Sequence, residues 1–281
     1  MEVSPAPVGS GPQSGVELIE RHLEEPPAPT IAPRHVGGPL SLSFSQVDEY
    51  LTCPERYRLR YVVGLSTPAH HALAYGSALH QAIAAFHVSQ GRGEPLDGPG
   101  LLQELDRHWV PDGYLSREHE EARYSAGRQA LLRFRETQLA SGVVPAAIER
   151  PFRFKLGQDQ IVGRIDRIDS GPSGVVITDY KSSDVRDQKR ADAKARDSLQ
   201  LQVYALAHQA ETGRLPERVQ LHFIDSGVVG AVEPDEARTD KARQKLATVA
   251  EGIRAGDFTP RPSPLGCGYC PFKDVCPASA A

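Results

Sequence analysis

Apolar residues recur at helical spacing through the first half of this chain and then switch to strict alternation in the middle. That change of period sets the architecture. Ser43-x-x-Gln46 forms a capping box ahead of an apolar run, with Leu42 and Val47 placed for a hydrophobic staple across it. The helix so started must end or break near Cys53, because Pro54 disfavours helical backbone at the residue before it. A second helix is predicted over 75–89, where Leu79, Ile83 and Phe86 share a face and Gly91-Arg92-Gly93 follows as a stop. Two more helical patterns cover 98–109 and 117–141. From there the period is two. The segments 149–155, 161–168 and 174–180 alternate, and Gly157-Gln158-Asp159 and Ser170-Gly171-Pro172-Ser173 are turn sequences, so an antiparallel meander is predicted. A helix over 190–211, a strand over 218–224 and a helix over 235–255 complete the pattern.

This order predicts an α/β fold of the α+β or three-layer kind, a central sheet flanked by helices, with a helical insertion over 75–141. Residues 1–39 are rich in Pro, Gly and Ser, with one short amphipathic piece at 16–23, and read as a disordered arm ahead of a single domain over 40–281.

Composition narrows the function classes. Hydrophobic content of 40% and charged content of 24% are those of a soluble globular protein. No apolar run reaches the ~20 residues of a membrane helix, and the first residues lack the basic end and apolar core of a signal peptide. A cytoplasmic protein is expected, in which four cysteines serve as ligands rather than disulfides. The net charge of −4 argues against a broad electrostatic DNA-binder. Local cations exist nonetheless, at Arg56, Arg58 and Arg60 and again over 186–196 with Lys189, Arg190 and Lys194. Either group reads equally as a phosphate contact or a solvated face. No Walker-type loop is present, so the sequence carries no ATPase motor of its own.

The candidate chemistry sits on the alternating segments. Asp179 and Lys181 share a strand face just after the apolar run Val175-Val176-Ile177, and Asp166 can come alongside from the neighbouring strand. Two carboxylates brought together repel unless a cation lies between them. A hard divalent ion such as Mg²⁺ or Mn²⁺ prefers such oxygen ligands, polarises a phosphodiester and helps generate hydroxide. Lys181 could orient or deprotonate the attacking water, or balance charge in the transition state. Taken alone, an Asp-x-Lys pair on a strand is more often a surface ion pair. Glu149, ahead of the first alternating segment, reads equally as a supporting acid or a surface glutamate. The His70-His71 pair reads as surface or structural. At the tail, Cys267-x2-Cys270-x5-Cys276 has one possible fourth partner, Cys53, and such close thiolates converge readily on a metal. The spacing alone admits Zn²⁺ as well as an iron–sulfur cluster.

Four segments then fall in a familiar order: Gly76-Ser77-Ala78-Leu79-His80, Gly163-Arg164-Ile165-Asp166-Arg167-Ile168-Asp169, Asp179-Tyr180-Lys181, and Gln200-Leu201-Gln202-Val203-Tyr204. Together they resemble the PD-(D/E)XK nuclease superfamily, specifically its RecB-like branch, from about residue 40 to the end. The second acid is Asp in place of Glu, which keeps the ligand. The resemblance implies a restriction-endonuclease-like core in which His80, Asp166, Asp179 and the carbonyl of Tyr180 bind metal. It implies that Lys181 acts on the attacking water and that Gln200 and Tyr204, one helical turn apart, line the site. Without it, His80 would read as a structural histidine.

The tail, with Gly268-Tyr269-Cys270-Pro271-Phe272 and Cys276-Pro277, is similar to that of AddB-type and CRISPR-associated exonucleases, which implies a [4Fe–4S] cluster on Cys53, Cys267, Cys270 and Cys276. The implied activity is metal-dependent DNA hydrolysis, as an exonuclease on single-stranded DNA or DNA ends, in repair or recombination beside a helicase. CRISPR spacer processing is a narrower reading. From a different class, a non-catalytic DNA-binding scaffold would keep the same fold.

Overall fold

The computed structural model describes residues 38–67 and 69–281, so the expected N-terminal arm falls almost wholly outside the described residues. The described chain opens on β1 (Ser41–Ser43) and α1 (Phe44–Thr52). The predicted capping box is made: the Ser43 N–H donates to Gln46 Oε1 at 2.9 Å and the Gln46 N–H donates to Ser43 Oγ at 3.3 Å. Leu42 and Val47 are buried in one cluster, as a staple requires. Cys53 follows in extended conformation, and Pro54 starts α2 (Pro54–Tyr57). That short helix runs into a π-helical turn over Arg58–Val63, closed by Gly64 in the left-handed region.

Three helices form the insertion: α3 (His71–Gly91), α4 (Gly98–His108) and α5 (Arg117–Ser141). The predicted stripe is their seam, with Tyr75, Leu79 and Phe86 fully buried against Leu101, Leu105 and Leu131.

The sheet has six strands and is mixed. The meander is present as β2 (Ala147–Leu156), β3 (Asp159–Gly171) and β4 (Gly174–Lys181), antiparallel throughout. β1 lies parallel to the start of β3, with Leu42 opposite Ile161, on the edge that β4 takes further along. β5 (Arg218–Phe223) runs parallel to β4, and β6 (Val228–Val232) closes the far side antiparallel to β5. β1 and β6 were not anticipated from the sequence. Ile177 on β4 and Val219, Leu221 and Phe223 on β5 face a layer of helices, while Tyr180 between them faces the insertion. A central sheet with helices on both sides is the expected fold class.

One expected element is corrected. The helix predicted over 190–211 is two helices, α6 (Gln188–Asp197) and α7 (Leu199–Thr212). Ser198 breaks them with φ −72° and ψ 110°, and its side chain accepts from the Leu201 N–H to cap the second. The bend lays α6 across the outer strands and α7 along β4 and β2. The last long helix is α8 (Glu236–Ala255), followed by the single turn α9 (Pro264–Gly268) in the cysteine-rich tail.

Where α6 crosses β6 the two backbones touch. A Cβ on Gly230 would overlap the carbonyl of Ala191. Gly230→Ala is therefore expected to cost about 1–3 kcal/mol by overpacking, read as a lower urea midpoint at unchanged slope. An unchanged midpoint would mean that helix and strand can part freely.

Candidate active site

Three neighbouring strands each bring one carboxylate to the same row. In the β2–β3 register Ile148 faces Arg167, so Glu149 stands opposite Asp166. In the β3–β4 register Arg167 faces Thr178, so the next row places Asp166 opposite Asp179. The ladder pairing between β3 and β4 stops at that row, and the Asp166 carboxylate takes its place: Oδ2 accepts from the Tyr180 N–H at 2.9 Å. Glu149 has φ +48°, the only non-glycine residue with positive φ among the described residues. A left-handed glutamate in a strand is strained, and here the strain aims its carboxylate at the row.

Helix α3 supplies the fourth group. His80 Nε2 lies 2.9 Å from the Tyr180 carbonyl, and its Nδ1 is 3.5 Å from Asp166 Oδ2. His80, Glu149 and Asp166 each offer a ligand atom within 4.8 Å of the others. The helix can come this close because Gly76, one turn before His80, has no side chain; a Cβ there would stand 3.0 Å from Ser182 Oγ. This gives a physical reason for the Gly-x3-His spacing.

Beyond the carboxylates lies a ring of polar contacts. Lys181 Nζ is 2.7 Å from Asp179 Oδ2 and donates to Gln200 Oε1 at 2.8 Å. Gln200 Nε2 donates to the Tyr204 hydroxyl at 2.8 Å, and that hydroxyl donates to Asp179 Oδ1 at 3.2 Å. Gln200 and Tyr204 are positioned by the start of α7, which the Ser198 break points at the end of β4. Asp179 is 1% exposed, and its Oδ2 is paired with the Lys181 ammonium. Asp179 Oδ1 and Oδ2 are thus held by Tyr204 and Lys181 with lone pairs left over, as a carboxylate that also ligates a hard cation requires.

On the opposite face, Tyr180 is clamped. Its hydroxyl lies 2.8 Å from His87 Nε2 and 3.4 Å from Arg167 Nη1, and Arg167 in turn pairs with Asp169 at 2.8 Å. Burial pushes the Tyr180 hydroxyl well above its ordinary range and holds His87 down to about 4, with Arg167 adding to the latter. A packed network of uncharged rings backed by the Arg167–Asp169 ion pair thus fixes the backbone whose carbonyl points at His80.

The donor set fits a hard divalent ion: carboxylate oxygens, one carbonyl and one imidazole. The electrostatics agree. Burial, and then the Asp179 carboxylate, push Asp166 up to about 6 in the metal-free chain. A carboxyl held above its unfolded value of 3.8 stabilises the fold fully below about pH 4, and that contribution is lost as the pH rises through about 6. Metal binding needs the ionised form and has the opposite slope. Mn²⁺ at roughly 100 times its Kd is expected to raise Tm by about 5 °C near pH 7.5 and by little near pH 5. Equal shifts at both would detach Asp166 from the metal.

Every residue expected at this site is gathered there: His80, Asp166, Asp179, Tyr180, Lys181, Gln200 and Tyr204. Glu149 joins them, and the reading that left it on the surface is set aside. The arginines at 56, 58 and 60 are not free for phosphate, because Arg56 and Arg60 pair with Glu49 and Arg58 with Glu55. His70 and His71 stack 4.7 Å apart at the start of α3, away from the row.

The pattern of a nuclease family extends over nearly the whole described chain, with the model of the PD-(D/E)XK nuclease superfamily matching residues 41–277. The chain belongs to the PD-(D/E)XK nuclease superfamily. Among curated proteins this nuclease is similar to the Gene 69 protein of Mycobacterium phage D29, 25% identical over 266 residues that span 84% of this chain and 96% of the relative. The Gene 69 protein of Mycobacterium phage L5 is 23% identical over 288 residues, 84% of this chain and 95% of that one. Among solved structures the nuclease matches a Eubacterium rectale protein provisionally described as an exonuclease, at 15% identity and a TM-score of 0.49 over 78% of this chain and 83% of the other.

The four cysteines are unpaired and half-buried. Cys53 Sγ accepts from the Arg261 N–H at 3.4 Å, which brings the tail against the end of α1. Among the described residues no three of the sulfurs lie within 4.8 Å of one another.

Proposed function

We propose that this nuclease hydrolyses DNA with Mg²⁺ or Mn²⁺, as an exonuclease on single-stranded DNA or DNA ends. The observation that carries the reading is the row of Glu149, Asp166 and Asp179 beside the Lys181 ammonium. Asp166, Asp179, His80 and the Tyr180 carbonyl would hold the ion, with Glu149 as a further oxygen ligand. When bound, the ion supplies Lewis-acid polarisation of the scissile phosphodiester. Lys181, fixed by Asp179 and Gln200, holds the attacking water and meets negative charge on the phosphorus oxygens. Tyr204 and Gln200 keep that ammonium from swinging away.

The further assignments follow the same family reading. DNA repair or recombination is the setting, a helicase the partner and the cytoplasm the location; no helix among the described residues is long and apolar enough to cross a membrane. Cys53, Cys267, Cys270 and Cys276 would hold a [4Fe–4S] cluster, with Zn²⁺ as the alternative occupant of the same thiolates. Half-buried free thiols from both ends of one domain support this, since an inert structural cysteine is usually fully buried.

The deciding experiment is digestion of DNA labelled at either end, linear and circular, single- and double-stranded, with each metal in turn. Progressive loss from one end of linear strands, sparing circles, is the expected result. Cutting of circles would replace exonuclease with endonuclease, and inert protein under every metal would leave the scaffold reading.

A further inference from the structure

The sheet face turned away from the carboxylate row carries a cleft of about 1000 Å³, at the upper end of the range for ligand clefts. Thr178, Gln220 and His222 line it from the strands. Arg133 near the end of α5 and Val143 and Val144 in the following link line its rim. The nuclease chemistry described above uses none of these side chains.

His222 is the informative one. It is 8% exposed, packed 5.7 Å from the rings of Phe134 and Tyr180, and makes no hydrogen bond among the described residues. Its ring lines the cleft, and a neutral imidazole offers one donor and one acceptor. Gln220 gives its amide N–H to Thr178 Oγ1 at 2.8 Å, and its carbonyl oxygen stays open as a second acceptor. Both groups face the cleft with capacity to spare for a ligand.

The rim supplies the rest. Arg167 is committed to Asp169 at 2.8 Å, and Arg218 lies 4.0 Å from Glu217. Arg133 donates to the backbone carbonyl of Asp225 at 2.9 Å and has no carboxylate partner among the described residues. Val143 and Val144 are 43% and 52% exposed and form an apolar shelf. A flat ring, an edge of donors and acceptors, and a single negative group complement this set. A heterocyclic base carrying one phosphate has all three. The cleft also shares Arg133 and Ser226 with a neighbouring cavity of about 530 Å³ that includes Asp184, just beyond Lys181 in the chain. The two cavities thus lead from the loop that leaves the catalytic strand.

We propose that this cleft binds a nucleotide unit, base on the valine shelf and phosphate on Arg133, as the end of a strand or as a released mononucleotide. The choice of ligand rests on the nuclease reading, but the binding requires no turnover.

The test is calorimetric titration in EDTA with dTMP, dAMP and 5′-phosphorylated (dT)₄ as probes. Wild type and Asp179→Asn are expected to bind alike. Arg133→Glu and Val144→Asp, both at exposed positions, should weaken binding at least about tenfold at unchanged Tm; His222→Phe should weaken it in the same way. Tighter mononucleotide than tetramer binding marks a product site, and the reverse marks a strand site. Absence of saturable binding to every probe overturns the proposal. So does binding that Asp179→Asn loses and Arg133→Glu retains. Wild type that cuts DNA but binds no probe in EDTA would defeat the cleft alone, whereas binding without any cutting would defeat the nuclease reading alone.

Discussion

Asp179→Asn is expected to lower turnover on labelled DNA by about 10³-fold or more, near 4 kcal/mol of transition-state stabilisation, while leaving Tm unchanged or higher. The two outcomes share one cause. Asp179 is almost fully buried beside Asp166, and burial and this neighbour are what push Asp166 up to about 6. An amide of the same shape keeps an oxygen for the Tyr204 hydroxyl at Oδ1 and removes one of two facing charges, while Lys181 trades its carboxylate for its Gln200 contact and water. Without the ion, folding gains; with the ion, a ligand is lost. Lys181→Met should show the same loss of turnover without weakening Mn²⁺ binding, because Lys181 offers no ligand atom. A Tm gain with activity above a tenth of wild type would mean that the carboxylate row is a structural charge cluster and the chemistry lies elsewhere.

Cys276→Ser and Cys53→Ser are each expected to bleach the broad absorbance near ~400 nm of an iron–sulfur protein and to destabilise it severely. A crosslink between these positions closes a loop of about 220 residues, which loop-closure entropy values at about 5 kcal/mol as an upper figure. That is comparable with the whole stability of many domains. The contacts that would remain in both variants are modest: Arg261 to the Leu51 carbonyl, and Phe272 buried near Arg60. The measurement is iron content together with the urea midpoint of protein purified without air. A colourless wild type of unchanged stability on both substitutions would remove the cluster.

Much of the site could be read from the sequence because its residues lie on regular elements. Asp179 and Lys181 share a strand face by period two, and Gln200 and Tyr204 share a helix face by period four, so each pair is local. Their meeting across elements was legible only through the family resemblance. Glu149 stayed ambiguous for a physical reason: its place depends on a left-handed backbone and on the β2–β3 register, neither of which has a local signature. The Ser198 break was hidden because the helical pattern continues on both sides, in Ala, Lys and Arg before it and Leu, Gln and Ala after it, and only the capping serine marks it. β1 is three residues long, and Gly227 and Gly230 disguise β6. His222 carried no signal either, since a lone polar residue on an apolar strand resembles any other.

The seam between β1 and β3 constrains how the protein is made. Leu40 is tied through its N–H to Asp159 at 2.8 Å, across 119 positions, and Arg254 pairs with the same carboxylate. Such distant pairing makes for slow assembly. On the ribosome the first described strand must wait until the whole helical insertion and the meander have emerged, and Asp159 gains its second partner only as the final long helix appears. Nascent chains halted before residue 159 therefore hold an unpaired strand next to the α1 apolar face, a natural substrate for a chaperone.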